Sequence, residues 1–293
     1  MSGLANYTFT GGTAVLTGAA SGMGEQMAHQ LADKGSNLAL IDRDADRLSA
    51  VTDAIRSRHA DLDVTAYVVD LVDTSAIDDL AARVLADHPR VTLLINNAGV
   101  GLGGRFDQLT AEEFDWLIAI NFQAPVAMTR AFLPTLKKST GSHIVNVSSL
   151  FGLIAPPGQT AYAASKFAIR GFSESLRHEL ADDGIGVTTI HPGGINTRIA
   201  ESSRHAASIT DEEAAAGKEA FSKLLTYPAD KAAAQILSGV EHRKSRVLIA
   251  VSAVVPDLLA RLFPASYLKV MGLLSPSTAR NATKGSTGDR QDA

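Results

Sequence analysis

Thr13-Ala14-Val15-Leu16-Thr17-Gly18-Ala19-Ala20-Ser21-Gly22-Met23-Gly24 decides the fold. Residues 13–17 read as a short buried strand and the glycine-rich run as a turn. Met27, Ala28, Leu31 and Ala32 form the apolar face of a helix that stops at Lys34-Gly35. A glycine-rich turn between a strand and a helix start suits a phosphate. Gly18, Gly22 and Gly24 permit the tight turn and the close approach of backbone to anion, and the helix N-terminus, reached through Ser21 and Met23, offers free N–H groups.

Outward from this turn the pattern repeats. Asn37 to Ile41 is a second apolar run, closed by Asp42, 18 residues beyond Gly24. A carboxylate there accepts from both ribose hydroxyls and repels a 2′-phosphate, which favours NAD. Arg43, next in the chain, is placed to reach a 2′-phosphate, so NADP stays open. A polar helix over 44–58 precedes a third strand over 64–69, closed by Asp70-Leu71. Asp70 suits either a cap of the next helix or a contact to adenine.

Further strands are expected at 91–95, 143–147 and 186–190, with a long helical region over 111–138 that Pro125 breaks or kinks. Near-continuous Val/Ile/Leu runs between amphipathic helices specify an α/β fold. It is a Rossmann-type doubly wound parallel sheet of about seven strands with helices on both faces, a single domain over 1–251. Residues 192–227, with helical pieces near 198–206 and 210–225, read as a substrate-loop insertion over the C-terminal edge of the sheet. A helix near 228–242 and a strand over 246–251 complete the domain.

Residues 252–274 form an apolar C-terminal extension in which Val254, Val255, Leu258, Leu259, Leu262 and Phe263 make a helical stripe. Asp257, Arg261, Lys269 and two prolines rule out a spanning helix. The extension is expected to pack on the domain, the substrate cleft or a partner subunit, with weak membrane-surface contact as the alternative. Residues 275–293, rich in Ser, Thr, Gly, Lys and Asp, are expected to be disordered.

Composition narrows the function. With 45% hydrophobic and 20% charged residues the chain is an ordinary globular protein, and a net charge of −4 without a basic run gives no basis for nucleic-acid binding. The absence of cysteine excludes disulfides, thiol nucleophiles and cysteine-ligated metals. The eight histidines, His29, His59, His88, His143, His178, His191, His205 and His242, show no paired ligand spacing, so no metal site is expected. No basic segment followed by an apolar run opens the chain, and a cytoplasmic protein is expected.

The chemistry concentrates in Ala161-Tyr162-Ala163-Ala164-Ser165-Lys166. Residues four apart share one helix face, so the phenol of Tyr162 and the ammonium of Lys166 point into the same space. A cation beside a phenol stabilises the phenolate and lowers its pKa from about 10 towards working pH, which suits Tyr162 to proton transfer.

These segments together resemble the short-chain dehydrogenase/reductase family over residues 13 to about 250. Gly18, Gly22 and Gly24 match its cofactor glycines in the TGxxxGxG spacing. Asn96-Asn97-Ala98-Gly99 matches its NNAG motif, Tyr162 and Lys166 its YxxxK motif, and Pro192-Gly193-Gly194-Ile195-Asn196-Thr197 its PGxxxT segment. Ser149 precedes Tyr162 by 13 residues, the family's catalytic serine spacing, and Asn121 lies where the family has its catalytic asparagine.

The resemblance implies a catalytic set of Asn121, Ser149, Tyr162 and Lys166. It implies a cofactor site of Gly18, Ser21, Gly22, Met23, Gly24, Asp42, Arg43, Asp70, Leu71, Asn97, Ala98, Gly99, Tyr162, Lys166, Pro192, Gly193, Ile195 and Thr197. In the implied mechanism Ile195 and Thr197 hold the nicotinamide near its carboxamide, and Lys166 binds the nicotinamide ribose hydroxyls. Ser149 holds the substrate oxygen, Tyr162 exchanges the proton as hydride moves, and Asn121 positions a water linking Lys166 to solvent. Asn97 is expected to serve the backbone around the cofactor.

Val100, Leu102, Leu150, Phe151, Leu153, Ile154 and Ile195, with Arg105 and Arg198 as the nearby charges, suggest an apolar alcohol or ketone as substrate. The implied activity is that of a short-chain alcohol dehydrogenase or ketone reductase. The alternatives are an NADPH-dependent 3-oxoacyl thioester reductase and, in another class, a dinucleotide-binding regulatory or scaffold protein without turnover. The family also implies a homodimer or homotetramer, with Ala161, Ala163, Ala168 and Gly171 small enough for close helix packing.

Overall fold

The computed structural model describes residues 4–274. Its first half runs β1 (Thr13–Thr17), α1 (Gly22–Asp33), β2 (Asn37–Asp42), α2 (Ala45–Arg58), β3 (Val64–Val68), α3 (Ile77–Asp87) and β4 (Val91–Asn96). The second half continues with α4 (Ala111–Ile118), α5 (Ala124–Lys138), β5 (His143–Val147), α6 (Thr160–Glu179) and β6 (Gly186–Pro192). It closes with α7 (Ile199–Ser202), α8 (Asp211–Ser222), α9 (Ala229–Glu241), β7 (Arg246–Ile249), α10 (Val251–Leu262) and α11 (Tyr267–Leu274). The tail over 275–293, expected to be disordered, lies outside the described residues.

The seven strands form one parallel sheet in the order β7-β6-β5-β4-β1-β2-β3. β1, β4, β5 and β6 are buried along their whole length, which is why their sequences are near-continuous apolar runs and do not alternate. Neighbouring residues serve opposite faces. Leu16 packs with α1, α2 and α9 through Met27, Leu31, Leu48, Ile55 and Ile236. Val15 packs with α3, α5 and α6 through Leu80, Met128, Phe132 and Leu176. The strand order reverses between β1 and β4, and a crevice opens there at the C-terminal ends of the strands.

Four sequence expectations are corrected. Pro125 does not kink one long helix; α4 passes through a π-helical turn, Ala119–Gln123, into α5, with Pro125 in the first turn of α5. A proline has no N–H for the carbonyl four residues back, here Asn121, and its ring crowds that carbonyl, so the wider turn relieves the clash. The strand expected over 246–251 ends at Ile249, because Ala250 takes φ +69° and turns the chain sharply into α10. The helical piece expected over 198–206 is only Ile199–Ser202; Arg204 and His205 pair instead with Leu102 and Gly103, and the Arg204 guanidinium lies 3.9 Å over the Trp116 ring. The cap at the start of the turn before α3 is Asp73, whose carboxylate accepts from Ser75 N–H, while Asp70 accepts from Val72 N–H in its own turn.

The sheet buries two neutral imidazoles. His143 is fully enclosed, with Arg243 donating to its Nδ1 at 3.0 Å and its Nε2 2.8 Å from Thr188 Oγ1. Burial, and then Arg243, push its pKa down to about 3. His191, at the end of β6, is also fully enclosed, and burial takes it down to about 4. Both folded-state values lie below that of an unfolded histidine, so the unfolded chain binds these protons first. The associated stability is therefore complete above about pH 6.5 and is lost as pH falls towards 4. Each ring costs about 2 kcal/mol by pH 5, and calorimetry between pH 7 and pH 5 should show Tm falling by roughly 5–10 °C or more. A flat Tm over that range would show that the rings are not held neutral.

Candidate active site

The glycine-rich turn is stitched to the end of β4. Asn97 Nδ2 donates to the carbonyls of Thr17 and Gly18 at 3.0 and 3.1 Å, and Thr17 Oγ1 accepts from the N–H groups of Asn97 and Ala98, both at 3.0 Å. Gly18 and Gly22 take φ +69° and +58°, and a Cβ on Gly24 would stand 1.8 Å from the Gly18 carbonyl oxygen. Only glycine fits there. Ser21 is the N-cap of α1 but makes no capping bond with its side chain, and Ser21, Gly22, Met23 and Gly24 line the crevice, so the first-turn N–H groups are not satisfied by a cap.

At the far side of the turn, both oxygens of Asp42 are fixed. Oδ2 accepts from Ala20 N–H at 3.0 Å and Oδ1 from Asp44 N–H at 3.1 Å. Arg43 leans towards Asp70, with 3.9 Å between Nη1 and the carboxylate. The crevice, about 400 Å3, is lined by Gly18, Ser21, Gly22, Met23, Gly24, Asp42, Arg43, Asp70, Leu71, Asn97, Ala98, Gly99 and Thr197. Thirteen residues expected from the sequence at the cofactor thus surround one space.

The second cluster lies beyond Gly99. A Cβ there would be 3.3 Å from both Asn121 Oδ1 and Lys166 Nζ, so these two groups converge on one point. Asn121 is buried in the π turn, where it accepts from Val100 N–H and donates to Val100 C=O, each at 2.9 Å, and to Ser165 Oγ at 3.2 Å. Lys166 Nζ donates to Val147 C=O at 3.2 Å and sits 5.6 Å from the centre of the Tyr162 ring. Ser149 Oγ accepts from Phe151 N–H at 3.1 Å, which leaves its own O–H to face the cavity beside Tyr162. Asn121, Ser149, Tyr162 and Lys166 are therefore gathered from three elements, the π turn, the end of β5 and α6.

Electrostatics in this cluster run against one expectation. The Tyr162 phenol is raised above its ordinary pKa, by burial first and with only partial relief from the Ser149 hydroxyl. Burial takes Lys166 down to about 8. The ammonium is engaged by the Val147 carbonyl, and burial of the phenol outweighs any pull it exerts on the phenolate.

Beside Tyr162 the crevice widens into a largely apolar cavity of about 580 Å3, and Met23, Asn97, Gly99, Thr197 and Ile199 border both spaces. Pro192, Gly193 and Ile195 lie on its floor with Ser149, Tyr162 and Lys166. Its outer wall comes from Phe221, Leu224 and Leu225 around the end of α8, and from Val255, Pro256, Leu259 and Met271 of α10 and α11. Three polar contacts fix these last helices. Asp257 pairs with Arg246 of β7, Ser252 Oγ accepts from Gly194 N–H at 3.2 Å, and Tyr267 OH accepts from Ala155 N–H at 2.9 Å. Among the described residues, no group of three or more His, Asp or Glu is arranged to hold a metal ion.

The short chain dehydrogenase family model matches residues 12–208. SadH of Mycobacterium tuberculosis is 38% identical over 267 residues, which cover 90% of this chain and 95% of SadH. The chain belongs to the short-chain dehydrogenase/reductase family. A short-chain dehydrogenase/reductase from Burkholderia phymatum, solved in complex with NAD, superposes with a TM-score of 0.79 at 28% identity, covering 87% of this chain and 94% of the other. A metagenomic short-chain oxidoreductase solved in complex with NADP gives 0.67 at 30% identity, covering 83% and 98%.

Within this dehydrogenase fold, several residues that sequence reasoning left out line the spaces. Ala20, Arg47, Val69 and Ser202 border the crevice, beside Arg198, which the sequence did single out, and Phe221, Leu224, Leu225, Pro256 and Met271 border the cavity. Of the apolar residues expected at the substrate, Leu150, Phe151 and Ile195 do line the cavity. Val100 faces the crevice, Leu102 packs on Leu117, and Leu153 and Ile154 are buried away from it. Arg105 is exposed and paired with Asp107. The apolar stripe on residues 252–274 was the available signal for the outer wall. Val255 and Leu259 line the cavity, Val255 while still partly open to solvent, and Val254, Leu258, Leu262 and Phe263 remain exposed outside it.

Asn121 supports the loop over the cluster as well as facing it. Asn121→Ala leaves the N–H and C=O of buried Val100 without partners, a loss of about 2–3 kcal/mol. Differential scanning calorimetry should show a fall in Tm of roughly 5–10 °C; a fall below about 2 °C would mean that these bonds do not hold the loop.

Proposed function

We propose that this oxidoreductase interconverts an apolar secondary alcohol and its ketone, using NAD in preference to NADP. The observation that carries the proposal is that the Tyr162 phenol and the Ser149 hydroxyl line an apolar cavity that shares Met23, Asn97, Gly99 and Thr197 with the crevice. A substrate oxygen beside them meets an acid/base and a hydrogen-bond donor, while its apolar body is covered by Phe221, Leu225, Leu259 and Met271.

The residues of the crevice fit a dinucleotide. Gly18 and Gly24 leave no room for a side chain, the N–H groups at the start of α1 are uncapped by Ser21, and the fixed carboxylate of Asp42 closes the far end. When bound, the nicotinamide accepts or returns the hydride. Asp42 supports NAD because both its oxygens are held in place and a 2′-phosphate beside them is repelled. Arg43 is drawn towards Asp70 and away from that role.

Tyr162 takes the hydroxyl proton in oxidation and returns it in reduction. Ser149, oriented by Phe151 N–H, donates to the oxygen on which charge develops. Lys166, tied to Val147 C=O, fixes the floor of the site beside the phenol. The raised phenol pKa keeps Tyr162 protonated at neutral pH, ready to donate in reduction, so oxidation accelerates as pH rises while reduction does not.

The test is NADH formation at 340 nm over aliphatic, alicyclic, steroid and hydroxyacyl alcohols, with NADP in parallel. Turnover is expected with NAD, and Tyr162→Phe should lower kcat by about 10^3-fold. Asp42→Ala should raise KM for NAD by about tenfold or more and reduce the preference over NADP. Faster turnover with NADP would overturn the cofactor assignment. Cofactor binding without turnover on any alcohol or ketone would overturn the proposed reaction.

A further inference from the structure

His191 is a buried histidine for which neither the fold nor the proton transfer has an evident use. Its Nδ1 lies 3.0 Å from the main-chain oxygen of Ser149. A carbonyl can only accept, so Nδ1 carries the proton and Nε2 is left as an acceptor, with no partner among the described residues. The tautomer is thus set by the serine that faces the substrate.

The surroundings show what this bond holds. Ser149 starts a single 3-10 turn, Leu150–Gly152, and has an extended backbone at the end of β5. One residue earlier, Ser148 N–H donates to Ile190 C=O at 2.8 Å and Ser148 Oγ to Lys166 C=O at 2.8 Å. Among the described residues the only other donor to Ser149 C=O is Gly152 N–H at 3.0 Å, which belongs to the same turn and moves with it. His191 is the tie between the Ser149 peptide and the rigid edge of β6. It pairs with Leu248 in the sheet and leads directly into Pro192-Gly193.

We propose that His191 is a positioning residue, which fixes the rotation of the Ser149 peptide through Nδ1–H and thereby aims the Ser149 hydroxyl at the substrate oxygen. This rests on the proposed role of Ser149. Arg170 of α6 holds the far end of the turn, donating to Gly152 C=O at 3.2 Å, so His191 is the tie at its Ser149 end. Without that tie the Ser149 peptide can pivot, and displacement of a hydrogen-bond donor by a fraction of an ångström weakens transition-state stabilisation without weakening cofactor binding.

Two substitutions of similar polarity separate this from mere filling of the core. Asparagine places its amide N–H where Nδ1–H was; glutamine places it near the Nε2 position, pointing away from Ser149. His191→Asn should keep kcat within about 3-fold of wild type, and His191→Gln should lower it about tenfold, with KM for the cofactor unchanged in both. Equal kcat in the two variants would overturn the proposal.

Long-range 1H–15N spectra of the ring nitrogens read the tautomer in the wild-type protein without any need for turnover. The Nδ1–H form is expected, and an Nε2–H form would overturn the anchor whatever the kinetics. Conversely, an Nδ1–H ring in a protein that turns over no substrate would leave the anchor standing and strike the proposed reaction, and with it the role of Ser149.

Discussion

The side-chain amide of Asn97, donating to the carbonyls of Thr17 and Gly18, is the interaction on which the crevice depends. Where strand order reverses, β1 and β4 lie side by side but their connections leave in opposite directions, and nothing in the ladder fixes the two loops relative to each other. Asn97 supplies that fixing. With Thr17 Oγ1 accepting from the N–H groups of Asn97 and Ala98, it locks the first half of the sheet to the second at the level of the cleft. Gly24 can then rest against the Gly18 carbonyl, and Thr197 can close over Gly22, only because that turn does not move.

Most of the sheet was legible in the sequence because a buried parallel strand must be apolar on both faces. Runs such as Leu93-Leu94-Ile95 and Val187 to Ile190 therefore stand out from the amphipathic helices between them. The residues at the crevice were legible for a related reason: glycines, a strand-end carboxylate and an asparagine pair occupy positions that few other side chains can fill. The outer wall of the cavity was not. Phe221, Leu259 and Met271 look like any apolar residues on a helix, and only the path of the chain after Ala250 shows which of them turn inward. The π turn around Asn121 was legible only as a disturbance near Pro125, since its hydrogen bonds to Val100 depend on a loop folded back from β4.

The electrostatics of Tyr162 and Lys166 show how spacing and environment can disagree. Helical spacing puts the two groups on one face, as expected, yet proximity alone does not set a pKa. Lys166 is nearly fully buried, and its charge is partly satisfied by the Val147 carbonyl, so it is itself a destabilised cation, taken down to about 8. A cation that pays its own desolvation cost has little left to stabilise a neighbouring phenolate, and burial of the phenol works in the same direction. The site in this form holds a neutral tyrosine, which is the protonation state that carbonyl reduction needs.

The helices α10 and α11 then fix the shape of the space that this tyrosine serves. Asp257 is mostly buried; burial works against its charge, but Arg246 and Arg261 hold it below the usual carboxylate range. A buried pair of this kind adds little net stability, because the Coulomb gain is offset by desolvation of both ions. What it supplies is register. One rotation of α10 about its axis would trade Val255 and Leu259, which face the cavity, for Val254 and Leu258, which face out, and apolar packing alone would scarcely distinguish the two. The ion pair distinguishes them, because only one rotation brings Asp257 to Arg246, and on that choice the depth of the apolar cavity depends.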